Sequence, residues 1–250
     1  MRKCIWCNSN ELNVSFKKKA HTVPQSLGGK NICLNVCDDC NAYFGNRSNG
    51  KPAVEVILKE FLHLSQYILL STINQPIRHK SEYFDINKKT NQVGIKMKYR
   101  LIQNFQETII RQFKRGLYKV FLEERDRQKQ DAYNERFNFI REFARYDLLD
   151  YPVFYVKPFQ GAVFFQTDDA KHPTIRFTEY SDEMDIDFRM FEYTILGHRI
   201  VIPTSPLYYI NFKKFVTYIK KQNVKLMGED IVEIKSINDI DFLFEHVKNN

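Results

Sequence analysis

The chain has 250 residues, 43% of them hydrophobic and 14% aromatic, with a formal net charge of +8 and a pI near 9.1. That much apolar material excludes a disordered chain and supplies one large core or two smaller ones. The positive balance favours a polyanionic partner, nucleic acid first.

The chain opens on Cys4-x-x-Cys7, and a second pair, Cys37-x-x-Cys40, follows about 30 residues later. Thiolates on two such knuckles close a tetrahedral Zn²⁺ site with no position left for water, so the site is structural. Cysteines paired by metal spacing, with Cys33 left over as a small core residue, argue for a reduced, cytoplasmic setting rather than a disulfide framework. The first residues carry charge and a knuckle instead of an apolar run, which predicts no secretory leader. Between the knuckles, Pro24 keeps the chain after His21 extended, and Ser26-Leu27-Gly28-Gly29 forms a turn. Residues 31–36 then return as a second strand. Residues 38–44 read as a short helix that Gly45 stops. The result is a hairpin followed by a helix, with His21 on the first strand and Asn41 on the helix facing it. This segment is also the electrostatic focus. Residues 1–51 hold Arg2, Lys3, Lys17, Lys18, Lys19, Lys30, Arg47 and Lys51 against only Glu11, Asp38 and Asp39.

The polar, turn-forming stretch 46–52 ends this module, giving domains 1–51 and 52–250. A helix over 53–73 follows and stops before Gln75-Pro76. Lys59, Glu60, His63 and Gln66 interrupt it, which makes it buried or amphipathic and not a membrane span. Alternating runs 82–87 and 92–99, joined by residues 88–91, predict a hairpin. The longest helix runs over 104–146, with Phe105, Ile109, Ile110, Phe113, Leu117, Val120 and Phe121 at three- and four-residue steps. Its middle, 123–136, is almost wholly polar: either a solvated helix laced with ion pairs, or a charged loop between two helices. From residue 152 the pattern changes to strands at 153–156, 162–166, 174–180, 187–196 and 199–202, with Gly197-His198 as a hairpin turn. A helix over 212–222 and a mixed tail complete the chain. The fold class is α+β: a small zinc-stabilised module, then a larger mixed domain with a long helix and a mainly antiparallel sheet. No phosphate loop, serine elbow or HExxH motif occurs in residues 52–250.

Cys4-x-x-Cys7, Ala20-His21-x-x-Pro24-x-Ser26-Leu27-Gly28-Gly29 and Asn35-Val36-Cys37-x-x-Cys40-Asn41-x-x-Phe44-Gly45 together resemble the HNH endonucleases, the ββα-metal nucleases, in their zinc-bound variety. The resemblance covers only residues 1 to about 50. It implies a metal-dependent DNA endonuclease in which His21 is the general base and Asn41 a ligand of a catalytic Mg²⁺ or Mn²⁺. Asn35 would pin the hairpin loop and orient the histidine, with Asn31 as the alternative. Where many relatives carry Asp, Glu or His before the base, this chain has Ala20, which coordinates nothing. Water completes the shell, a nearby group (Asn46, Asp38 or Asp39) substitutes, or the module binds without cutting.

Lys17, Lys18, Lys19, Lys30 and Arg47 are the expected phosphate contacts; they give affinity but no sequence choice. RNA is the alternative nucleic acid, and no membrane is expected. One such module cuts one strand at a time, so double-strand cleavage takes a homodimer, through residues 52–250, or repeated nicking. The setting that suits it is a mobile element or phage defence. The competing class is a catalytically silent zinc-containing DNA-binding or ligand-sensing protein. The histidines at 63, 79, 172, 198 and 246 have no partner pattern and read as non-catalytic.

Overall fold

The computed structural model describes residues 1–75, 77–78, 80–87, 92–157, 167–223 and 230–242. The first hairpin pairs β1 (Ala20–His21) antiparallel with β2 (Ile32–Cys33), and α1 (Asp38–Gly45) follows. The return strand expected over 31–36 shrinks to two residues. After Cys33 the chain turns away, so that the Asn35 carbonyl accepts the Ile5 N–H and Cys37 reaches the other cysteines.

Helix α2 (Val54–Thr72) matches the expected span to within a residue at each end. Strands β3 (Phe84–Asn87) and β4 (Gln92–Ile95) pair antiparallel as expected; their turn at 88–91 lies outside the described residues. The second run ends at Ile95 rather than 99, because Tyr99 and Arg100 donate their N–H groups to the Lys96 carbonyl and wind α3 (Met97–Arg100).

Helix α4 (Phe105–Lys129) corrects the expectation of one helix to residue 146. It ends at Gln130, which adopts a left-handed conformation (φ 56°). The Arg125 guanidinium forks onto Asp131 at 2.7 and 2.6 Å and pins that turn. α5 (Asn138–Ala144) then starts separately. Nor is the start of the polar stretch a solvated face: Glu123, Glu124, Arg125 and Asp126 are all buried. Buried charges persist only when paired, and partners for these four come from neighbouring elements and from α4 itself.

The remaining elements are β5 (Phe154–Lys157), α6 (Thr167–Lys171), β6 (Arg176–Phe177), α7 (Ser181–Phe188), β7 (Met190–Ile195), β8 (His198–Pro203), α8 (Tyr209–Asn223) and β9 (Asp230–Glu233). They build an antiparallel five-stranded sheet in the order β6-β7-β8-β5-β9. The strand expected at 162–166 lies outside the described residues. The 174–180 run contracts to β6, and the start of the 187–196 run belongs to the end of α7. The β7–β8 turn is Leu196-Gly197, both at positive φ (48° and 78°), the geometry of a two-residue hairpin loop. Strand β9 lies in what read as a mixed tail.

Along β5, Tyr155 packs into the main core while Phe154 and Val156 turn the other way, against Phe215 and Ile219 of α8. The main core crosses residue 51 without a break. Trp6 and Phe44 of the N-terminal module, Ile57 and Phe61 of α2, Phe113 and Phe121 of α4, and Tyr193 of β7 belong to one buried cluster. The hairpin module is thus seated on α2 and α4. Among the described residues, no helix is long and apolar enough to cross a membrane.

Candidate active site and its metal centre

The four sulfurs of Cys4, Cys7, Cys37 and Cys40 lie within 4.8 Å of one another, and Cys7 Sγ is 3.7 Å from Cys37 Sγ. A tetrahedron with Zn–S bonds near 2.3 Å has S···S edges of about 3.8 Å, so this donor set fits zinc. Hydrogen-bond donors are aimed at the Cys4 and Cys40 sulfurs. The N–H groups of Trp6 and Cys37 point at Cys4 Sγ (3.4 Å each), and Arg145 Nε donates to Cys40 Sγ at 3.3 Å. Cys4 is lowered to about 5, chiefly by the Cys40 side chain, against burial and with help from backbone N–H groups. Cys37 is pushed up to about 11 by burial. Cys37 also caps α1, its sulfur accepting the Cys40 N–H. Sequence spacing therefore places the cluster and the helix start together. The fifth cysteine, Cys33, is buried, and burial raises its thiol pKa.

The loop between β1 and β2 is a tight 3₁₀ turn at Gln25–Leu27, followed by two glycines that nothing else could replace. Gly28 has φ +91°, and a Cβ there would lie 2.1 Å from the Lys171 carbonyl oxygen; at Gly29 it would lie 2.2 Å from that of Val23. Gln66 of α2 donates to the Leu27 carbonyl at 2.7 Å and to that of Ala170 at 2.9 Å, stapling this loop to α6. The close approach brings the Gly29 carbonyl to 3.1 Å from His21 Nδ1. A carbonyl only accepts, so Nδ1 carries the proton and Nε2 is left as the basic nitrogen.

Helix α4 holds the strand from behind. Lys119 Nζ, with no exposed surface, donates to the His21 carbonyl (3.0 Å), Glu123 Oε2 (2.8 Å) and Glu55 Oε1 (3.0 Å). Three donors meet three acceptors. Burial opposes the Lys119 charge, but the two carboxylates outweigh it and hold the amine above its usual value. Burial pushes Glu123 up to about 7, partly offset by Lys119 and by Trp6 Nε1, which donates to Glu123 Oε1 at 3.1 Å. The chain Trp6–Glu123–Lys119–His21 thus ties the first knuckle to the backbone of the candidate base.

His21 and Asn41 line one open cleft of about 460 Å³, together with Lys18, Lys19, Asn46, Glu55 and Lys59 among others. Asn41 Nδ2 donates to the Lys19 carbonyl at 3.5 Å, which leaves Oδ1 as the acceptor end of the amide. The other expected residues fall elsewhere. Asn35 Nδ2 donates to Asp126 Oδ2 at 2.9 Å; the hydrogen bonds on the loop and the histidine come from Gly29, Gln66 and Lys119. Asn31 contributes its carbonyl to the Thr22 N–H. Asp38 is occupied by the Lys18 and Lys17 backbone N–H groups (2.7 and 3.2 Å), and the Lys18 bond lowers its pKa. Of the expected phosphate contacts, Lys18 and Lys19 border the cleft, and Lys17 and Lys30 are exposed outside it. Arg47 pairs with Glu82 at 2.7 Å. Glu55, Lys59, Lys119 and Glu123 were missed by the sequence reading. The signal for the last two was a Lys–Glu pair four residues apart on the long helix.

No curated protein and no solved structure matches this chain. Residues 4–51, which hold the four clustered cysteines, His21 and Asn41, match the family model described as HNH endonuclease.

Proposed function

We propose that the protein is a metal-dependent DNA endonuclease that hydrolyses phosphodiester bonds in the cleft between β1 and α1. The observation that carries this reading is that His21 and Asn41, distant in sequence, line the same cleft within the segment matched to a nuclease family. His21 Nε2 takes a proton from the attacking water, while the Gly29 carbonyl on Nδ1 fixes the ring and stabilises the imidazolium that forms. Water oxygen bonds to phosphorus as the bond to the 3′ oxygen breaks, leaving a 5′ phosphate and a 3′ hydroxyl that takes its proton from solvent. Asn41 Oδ1 is a neutral hard donor of the kind Mg²⁺ or Mn²⁺ accepts, and an open cleft leaves room for the waters such ions retain. The cation, when bound, neutralises charge on the phosphate and on the departing oxygen. Lys18 and Lys19 contact flanking phosphates. The cysteine-held zinc supplies rigidity and no chemistry. Residues 52–250 act as the platform that seats the module and sets His21 through Lys119; cutting both strands takes a second copy or a second event.

The test is relaxation of supercoiled plasmid by the zinc-loaded protein with Mg²⁺ or Mn²⁺. Cleavage by the wild type and not by His21→Ala supports the assignment. Equal cleavage by the two refutes His21 as the base, and no cleavage by either leaves a silent binder. Cleavage of RNA alone under the same conditions would overturn the choice of DNA.

A further inference from the structure

Ala20 offers no ligand beside the base, so the reading above leaves Asn41 as the sole protein ligand named for the catalytic cation. Of the substitutes the sequence suggests, Asp38 is taken up by backbone amides, Asp39 does not line the cleft, and Asn46 lines it but brings no charge. One carboxylate does line it: Glu55, from the first turn of α2, outside the matched segment. Its two oxygens are used differently. Oε1 takes Lys119 Nζ at 3.0 Å, which fixes the side chain. Oε2 receives no hydrogen bond from the described residues and lies over Gly45, 3.7 Å from where a Cβ would stand. Gly45 is four residues after Asn41 on α1, hence on the same helix face, about 6 Å along the axis. Glycine at this position leaves the space between Glu55 and Asn41 open.

We propose that Glu55 is the second protein ligand of the catalytic divalent cation, supplied by α2 in place of the residue missing at position 20. The inference rests on the nuclease reading and deepens it. A partly exposed carboxylate, 24% accessible and held by a buried lysine, is the hard anionic donor that the cleft otherwise lacks. It also accounts for the seating of the module on α2: the cation site is complete only when the hairpin unit and that helix are together.

The test is Mn²⁺ binding to the zinc-loaded protein without DNA, read by the loss of free-ion EPR signal, for wild type, Asn41→Ala and Glu55→Gln. Glutamine keeps an oxygen for the Lys119 hydrogen bond and removes the charge, while Glu123 remains as the buried counter-ion of that lysine. The expected result is one Mn²⁺ per chain in the wild type. At least tenfold weaker binding is expected in each variant, with zinc content unchanged in Glu55→Gln and a melting temperature lowered only by the loss of one of the two charges that face Lys119. Wild-type affinity in Glu55→Gln overturns the proposal, and if the wild type still cleaves plasmid, the nuclease reading survives. A wild type that neither binds Mn²⁺ nor cleaves overturns both.

Discussion

Replacing Lys119 by methionine keeps the aliphatic stem and removes the charge that Glu123 depends on. Glu123 is fully buried, and its pKa is already raised from 4.5 to about 7 with the lysine in place. A group whose folded pKa is raised stabilises the fold fully below its unfolded pKa and loses that contribution as pH rises through the folded value. In the wild type, stability from Glu123 therefore falls between about pH 4.5 and 7, by roughly 3 kcal/mol, and then levels off. Without Lys119 the carboxyl stays protonated above pH 7, so the decline continues at about 1.4 kcal/mol per pH unit. Urea unfolding of wild type and Lys119→Met at pH 6, 7 and 8.5, in zinc-buffered solution, should show a gap that widens by about 2 kcal/mol between pH 7 and 8.5. Adding Glu123→Gln should abolish the widening, because the fully buried carboxyl is gone; titration of the cysteine thiols is common to all variants and cancels. A gap that stays constant with pH would refute the account of the Lys119–Glu123 pair.

Cys37→Ser removes both a sulfur and the α1 cap, and should cut bound zinc to a small fraction of one per chain. Because the module shares its core with α2 and α4, the melting temperature should drop by roughly 10 °C or more, read by calorimetry beside metal analysis. Gly28→Ala forces a side chain into a left-handed conformation and onto the Lys171 carbonyl, at a cost of about 2–4 kcal/mol by denaturant titration. Asn35→Ala loses the bond to Asp126 and should cost about 1–3 kcal/mol of stability while changing cleavage less than threefold; a loss of a hundredfold or more would restore Asn35 to the site.

The sequence told most where residue types leave little physical freedom. Two CxxC knuckles have few uses in a chain with five cysteines, and the sulfur cluster has the size they imply. The order hairpin, helix, long helix was also readable, because Pro24, the glycine pair and the apolar period of α2 and α4 act locally. What escaped depends on tertiary partners. Glu123 and Asp126 read as solvent-facing because nothing near them in sequence neutralises them in full; Trp6 and Asn35, more than 90 residues away, complete the pairing. Asn35 was assigned by its place in a motif, yet its side chain follows the helix packed beside it. Glu55 lay beyond the polar stretch taken as the end of the module, and only the docking of α2 brings it to His21 and Asn41. The two-residue strands and α6 and α7 are too short to carry a period of their own.

The most direct measurement is the single-turnover rate of strand cleavage on one synthetic duplex, compared between zinc-loaded wild type and His21→Ala with saturating Mg²⁺ or Mn²⁺. A fall of about 10²–10⁴-fold, with duplex affinity unchanged, is the result the geometry of His21 and Asn41 predicts. Equal rates in the two proteins would contradict it.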